Sequence, residues 1–434
     1  MRVRLLYNPP RMLRIAAVVA IVAAVASPRL GAQGSEQVLA RVRQERTPLI
    51  ETLRDMVAIE SGSRDPEGLR RIAATIAERL RARGGEVDVV PPSDVTRLDD
   101  TPAEIGSSVV ARFRGTGTTR ILLLAHMDTV YLRGMLASQP FRIEGDRAYG
   151  LGIADDKHGV ALILHTIDVL HALGVRDYGQ LTVLINGDEE VSSPGSRSLI
   201  TRLGSEHDVV FSLEGAGEDD RIRLTTSGIG AVLLTVTGRA SHAGAAPEAG
   251  RNALYELAHQ ILQMRDLSDA ASGRKVNWTL ASAGSNRNVI PEQARATADV
   301  RVLTVADYDV VERAVREGVR TPLIPDTQID VAFERRRPPL EASAASRRLA
   351  AHAQRIYGEI ERTLHVGDVS PGGGTDAAFA ALRTQAPVIE GLGLKGYGAH
   401  SNAAEYIELS SIEPRLYLLT RLIIDVSRGQ GTLH

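Results

Sequence analysis

The chain is expected to be an α/β protein. Its main domain carries a mostly parallel sheet and is interrupted by a smaller α+β domain. Three observations lead there. Near-continuous apolar runs at 121–125, 181–185 and 209–213 have the composition of strands covered on both faces, as parallel strands are. Segments of helical periodicity alternate with these runs. Beyond Ser227 the order changes to β-α-β-β-α-β, the ferredoxin-like arrangement.

Each element has its own signal. Val38, Val42, Leu49, Leu53, Val57 and Ile59 lie near a 3.6-residue period and predict helix over 36–61, with Pro48 marking a break or a new start. Leu69, Ile72, Ile76 and Leu80 predict a second helix over 65–83, stopped by Gly84-Gly85. Strands follow at 87–90 and 109–114, then the buried strand 121–125, which ends at His126-Met127-Asp128-Thr129. Residues 150–157 form a Gly-containing loop, 160–173 a helix and 181–186 a strand that runs into Asp188-Glu189-Glu190. A short helix at 196–203 leads to strand 209–213, which ends at Glu214.

In the inserted segment, strands are expected at 229–237, 276–283, 294–303 and 328–334, with helices at 252–264 and 306–319. Helices at 346–357, 375–382 and 412–426, a strand at 387–390 and a Gly-rich loop at 393–400 return to the first domain. The expected division is therefore 36–226 plus 339–434 for the main domain and 227–338 for the insert.

Composition narrows the function. With a net charge of -2, binding to nucleic acid by phosphate neutralisation is not expected. Aromatics at 4% offer no base-stacking platform. The absence of Cys excludes thiol nucleophiles, disulfides and zinc ribbons, so any metal must be held by His and carboxylates. Residues 1–32 have the layout of a signal peptide: Arg2, Arg4, Arg11 and Arg14 precede an apolar stretch, and Leu30-Gly31-Ala32 offers a cleavage site. The mature protein is expected to be secreted or periplasmic, with no membrane attachment after cleavage.

Acids after a strand ordinarily make a solvated turn. Here, however, His126, the Asp188–Glu190 acids and Glu214 all fall at strand ends, where sites gather in open parallel sheets. With Asp155 and His400 they make five candidate ligands: His126, Asp155, Glu190, Glu214 and His400. Five exceed the needs of one catalytic zinc. They suit two Zn2+ sharing a carboxylate, with Co2+ or Mn2+ as substitutes. Asp155, in its Gly-rich loop, is the natural bridge. Such metals lower the pKa of a shared water and polarise a substrate carbonyl. Adjacent residues point in different directions, so Glu190 is assigned as ligand and Glu189 as general acid/base. Asp128 is placed to accept the second ring N–H of His126.

The motifs HMDTV, YGLGIADDK, NGDEE, SLE, SHAG, GGGTDAA and GAHSNAAEY occur in this order from 126 onward. Together they resemble the di-zinc metallopeptidase family of aminoacylases, peptidases and succinyl-diaminopimelate desuccinylases. HMDTVYLRG and VRDYG extend the likeness toward its bacterial glutamate carboxypeptidase branch. The resemblance implies that His126 and Glu214 hold one zinc, Glu190 and His400 the other, and Asp155 bridges. It implies a cis Asp155–Asp156 peptide, dimerisation through the insert, and His242 as an oxyanion donor to the partner's active site. It assigns Asn288, Arg301, Arg337, Gly373, Gly374 and Thr375 to the substrate pocket.

The implied activity is hydrolysis of a C-terminal amide, releasing glutamate from N-acyl, peptidyl or folate-like substrates. An aminoacylase or dipeptidase with another side-chain pocket is the alternative. A non-catalytic binding protein on the same fold predicts a lost ligand or base, and none is lost here. Two departures bear on the pocket wall: His158 stands where that branch has Gly and is read as a helix start, and Ser192-Ser193-Pro194 follows the acids.

Overall fold

A computed structural model describes residues 15–370, 372–401 and 404–431, with side chains from residue 34 onward. In chain order the first half holds α1 (Ile15–Val57), α2 (Pro66–Ala82), β1 (Glu86–Val90), β2 (Ser108–Arg114), β3 (Arg120–His126), β4 (Arg142–Glu144), β5 (Arg147–Tyr149), α3 (His158–Ala172), β6 (Gln180–Asn186), α4 (Arg197–Glu206), β7 (Val209–Ser212) and β8 (Arg221–Arg223). The insert contributes β9 (Gly228–Thr237), α5 (Ala253–Gln263), β10 (Lys275–Ala283), β11 (Gln293–Val302), α6 (Val305–Gly318) and β12 (Gln328–Arg337). The chain closes with α7 (Ala344–Gly358), β13 (His365–Gly367), α8 (Ala377–Ala381), β14 (Val388–Ile389), β15 (Gly396–Tyr397), β16 (Tyr406–Glu408) and α9 (Ile412–Ser427).

The main sheet has the order β1-β2-β6-β3-β7-β14. β6, β3, β7 and β14 pair in parallel, and β2 alone runs against the rest. Successive strand residues serve opposite faces, which is why the apolar runs are continuous. Ile121, Leu123, Val183, Ile185 and Phe211 enter a core with α1, α3, α7 and α9. Leu122, Leu124, Leu184 and Val210 enter a second core with Leu199, Ile200 and Leu203 of α4 and with α8. The insert is the expected ferredoxin-like unit. Its antiparallel sheet has the order β10-β11-β9-β12 and packs its own core against α5 and α6.

Local signals account for some helix starts. Asp65 caps α2 by accepting from Gly68 N–H, and Asn252 caps α5 by accepting from Leu254 and Tyr255 N–H. Pro48 does not break the first helix: α1 runs through it. Leu49, Leu53 and Met56, all fully buried, lock that stretch into the core, and this packing outweighs the hydrogen bond that Pro removes. His158 opens α3, as expected.

The leader residues Arg2, Arg4, Arg11 and Arg14 lie outside the described residues, while the stretch 15–26 forms the start of α1. Among the described residues no helix is long and apolar enough to cross a membrane.

Two short pairings were not foreseen. β15, β16, β5 and β4 form an antiparallel sheet, and β13 pairs with β8 in parallel. Strands of two or three residues carry too little periodicity to read. Leu123 lies at the centre of the main sheet with no exposed surface. Leu123→Ala is expected to cost about 2–5 kcal/mol, read as a lower denaturant midpoint at unchanged slope.

Candidate active site

Strand register gathers the site. His126 ends β3 directly opposite Asn186 of β6, and Leu124 is level with Ser212 of β7. His126, the Glu189-Glu190 turn and Glu214 therefore emerge together at the carboxyl edge of the sheet. Asp155 arrives on a tight turn before α3, and its peptide bond to Asp156 is cis. Gly152 in that turn has φ +72, and a Cβ there would stand 2.4 Å from Thr129 Cγ2.

Asp155 faces both histidines. Its Oδ1 is 2.9 Å from His126 Nε2, and its Oδ2 is 3.2 Å from His400 Nε2. Glu214 lies 3.5 Å from His126 Nε2, and Glu190 lies 3.0 Å from His400 Nε2. Two groups of ligand atoms result, His126/Asp156/Glu214 and Asp155/Glu190/His400, each within a 4.8 Å span. His126 and Glu214 thus fall in one group and Glu190 and His400 in the other, while Asp155 stands with the second group and Asp156, not among the expected ligands, with the first.

The donor set fits divalent cations. Both Asp156 carboxylate oxygens and Glu190 Oε1 are buried without a hydrogen-bond partner, a costly state unless a cation satisfies them. The charge balance agrees. Burial pushes the carboxyls of Asp156, Glu189 and Glu214 well up, and that of Glu190 to about 7, with neighbouring acids adding to it. Asp155 and Glu190 together push His400 up to about 10. Burial opposes the charged form of His126, but Glu214, Asp128, Asp155 and Glu189 outweigh it and hold that ring well above its ordinary value. Only Asp155 is pushed down: burial works against its charge, and His126 and His400 overcome that. Acids and imidazoles shifted up together mark a pocket short of positive charge.

Asp128 ties the ligands together. Its carboxylate accepts from the backbone N–H of Glu189 (3.0 Å) and Glu190 (3.1 Å) and from Ser63 Oγ (2.8 Å). His126 Nδ1 finds the Asp128 backbone carbonyl at 3.1 Å and its carboxylate at 3.4 Å. Asp188 is structural: its carboxylate accepts from Gly195 N–H, Ser196 N–H and Ser196 Oγ and so shapes the turn. Positive φ at Ser192 and Ser193 completes that turn. His158 is fully buried beside Asp156, neither ring nitrogen has a hydrogen-bond partner, and burial pushes its pKa down to about 3.

Asp155, Glu190, Glu214 and His400 front a cavity of about 560 Å³, lined also by Glu189, Gly373, Gly374, Thr375, Arg223 and Tyr397. Not every expected pocket residue reaches it. Arg337, expected to receive a substrate carboxylate, is buried and already paired. One Nη lies 2.9 Å from Glu189 Oε1, and the other is bonded to Asp376. Arg301 forks onto Asp299 (2.9 Å on both arms) and donates to the Gly372 carbonyl. Its contact is thus with the backbone beside the expected Gly373-Gly374-Thr375 wall. His242 and Asn288 sit together on the insert, both exposed and away from the cavity lining. His242 Nδ1 accepts from Gly244 and Ala245 N–H (3.1 and 3.0 Å), so its neutral ring carries the proton on Nε2.

Glu405 was missed. It accepts from Gly152 N–H (3.0 Å) and Ala154 N–H (2.7 Å) and from the Tyr131 hydroxyl, and so fixes the turn that carries Asp155. Burial pushes its pKa up to about 7. The signal was present, since Glu405 lies within the GAHSNAAEY motif. Asp376, within GGGTDAA, is the corresponding miss for Arg337.

What the fold and this site define together is a metal-dependent hydrolase. Residues 122–425 match the family described as Peptidase family M20/M25/M40, and the chain belongs to it. It is 43% identical over 402 residues to Carboxypeptidase G2 of Pseudomonas sp. (strain RS-16), spanning 92% of this chain and 94% of that one. It is 27% identical over 356 residues to succinyl-diaminopimelate desuccinylase of Gluconobacter oxydans, spanning 76% of this chain and 86% of that one. The fold is shared with the crystal structure of an M20 family metallo-carboxypeptidase from Sulfolobus solfataricus, at a TM-score of 0.69 and 17% identity over 87% of this chain and 98% of that one.

The geometry makes distinct predictions for metal loading. His400→Ala is expected to leave one ion bound per chain, and Asp155→Ala to weaken both, as measured by metal analysis after dialysis. Hydrolysis that survives His400→Ala undiminished would point to a one-metal site.

Proposed function

We propose that the protein is a di-zinc carboxypeptidase-type amidohydrolase that releases a C-terminal glutamate from N-acyl, peptidyl or folate-like substrates. The observation that carries the catalytic part is the division of the Asp155 oxygens between His126 and His400, with Glu189 lining the same cavity. The carboxypeptidase part is supported by the name of the Pseudomonas relative and by the extent of the match to it.

When bound, the metal pair supplies Lewis acidity, polarising the scissile carbonyl and lowering the pKa of water. Glu189 is the base. It takes a proton from the attacking water as the C–O bond forms and returns it to the amide nitrogen as the C–N bond breaks. Its carboxyl is pushed up by burial, and Arg337, 2.9 Å away, opposes that shift and fixes its direction. Asp128 holds Glu189 and Glu190 in their separate orientations through their backbone N–H groups.

His242, exposed and with Nδ1 accepting from its own loop, suits an oxyanion donor delivered across a homodimer. Such a dimer is favoured by exposed Leu254, Tyr255 and Leu262 on α5 and Leu280 on the edge strand β10. Asn288 beside it, Arg301 against the Gly372 carbonyl, and the Gly373-Gly374-Thr375 wall are assigned to substrate binding. We also propose export to the periplasm or beyond, on the leader-like residues 1–32.

A hydrolysis panel on zinc-loaded protein tests the reading: N-acyl-glutamate is expected to outpace N-acyl-leucine and dipeptides. Preference for N-acyl-leucine would favour the aminoacylase alternative, and activity untouched by chelation would remove the metal mechanism. Glu189→Gln is expected to retain its metals while kcat falls by about 10²–10⁴. Mixing inactive His242→Ala with inactive Glu189→Gln subunits should restore part of the activity. No recovery would place His242 outside the partner's site.

A further inference from the structure

The cavity is strongly acidic. Asp155, Glu189, Glu190 and Glu214 line it, yet the proposed substrates bring carboxylates of their own. Among the described lining residues a single guanidinium, that of Arg223, faces this space. Arg223 ends β8 and is half-buried. Its Nη1 donates to the Gly215 carbonyl at 2.7 Å, and among the described residues no carboxylate comes within 4.0 Å of it. The two nearest acids along the chain are taken elsewhere, Asp220 by Arg415 at 2.7 Å and Asp219 by Arg221 at 2.5 Å. Space for the head group is kept by two glycines: a Cβ on Gly217 would stand 3.3 Å from Nη2, and one on Gly391 3.1 Å from Nη1.

The contrast with the other two arginines decides the argument. Arg337 is neutralised by Glu189 and Asp376, and Arg301 by Asp299. A carboxylate reaching for either must displace an internal partner. Arg223 has no ion pair within 4.0 Å to break, although its charge acts at longer range on the buried Glu390 and on Asp219, and a planar guanidinium donates to a carboxylate in a two-point contact.

We propose that Arg223 receives the side-chain carboxylate of the released residue and sets the preference for acidic over neutral residues. The proposal rests on the reading of this cavity as a glutamate-releasing amidohydrolase site.

The test compares N-benzoyl-glutamate with N-benzoyl-glutamine, which have nearly the same shape and differ in charge, on zinc-loaded full-length protein. Wild-type protein is expected to prefer the glutamate substrate in kcat/KM. Arg223→Gln is expected to reduce that preference about 10–100-fold, and Arg223→Lys, which keeps the charge but not the fork, to fall between the two. A preference unchanged in Arg223→Gln overturns the proposal and leaves the glutamate reading standing. A wild-type enzyme without the preference overturns both. Arg223→Ser provides a second neutral variant should Arg223→Gln fold poorly. Loss of both activities in both neutral variants, with wild-type melting and zinc content, also overturns the proposal, because it places Arg223 in the chemistry and not in recognition.

Discussion

The carboxylate of Asp155 has to serve two imidazoles at once, one through each oxygen. That requirement orders much of the surrounding structure. The turn that carries Asp155 must pass close to Thr129, which Gly152 allows. Glu405 accepts two of the turn's N–H groups and holds its height. His126 is set by the end of β3, and His400 adopts φ +62 in a loop anchored through β15 and β16 to β5. A positive φ at a residue other than Gly or Asn costs energy and is kept where the surroundings fix it.

The electrostatics follow from the same crowding. Several buried acids and two imidazoles share one cleft, and all but Asp155 are shifted toward protonation. Divalent cations would reverse that pressure by occupying the space between the ligands. Behind the ligands, Asp128 and Asp188 spend their carboxylates on backbone N–H groups and hydroxyls, which keeps the Glu189-Glu190 turn in one shape. Two acids in a row thus acquire different surroundings. Glu190 meets His400, whereas Glu189 meets Arg337.

The arginines illustrate how composition misleads about binding. Arg335, Arg336 and Arg337 are adjacent in sequence, yet their side chains go to different places. Arg335 and Arg336 pair with acids on the surface and on the loop at Asp99 and Asp100, while Arg337 is buried against Glu189 and Asp376. Alternation along β12 sends neighbours to opposite faces, and the irregularity between Arg335 and Arg337 shifts the phase. The resemblance that pointed to Arg301 and Arg337 carries no information about which acids those side chains meet. Arg223 lies in no motif and became visible only through the cavity it lines.

The sequence by itself determined the central strands of the main sheet, because continuous apolar runs are the signature of burial on both faces, and it determined the residue types at their ends. It also determined the ferredoxin-like insert, whose long strands and helices carry full periodicity. Only the tertiary structure decided that helix α1 survives Pro48, that Glu405 supports the Asp155 turn, and that His400 is brought to Asp155 by strands of two and three residues. Those outcomes depend on contacts between segments distant in the chain, such as Glu405 with Gly152 and Ala154. Local pattern records what a residue prefers, and packing settles which partner satisfies it.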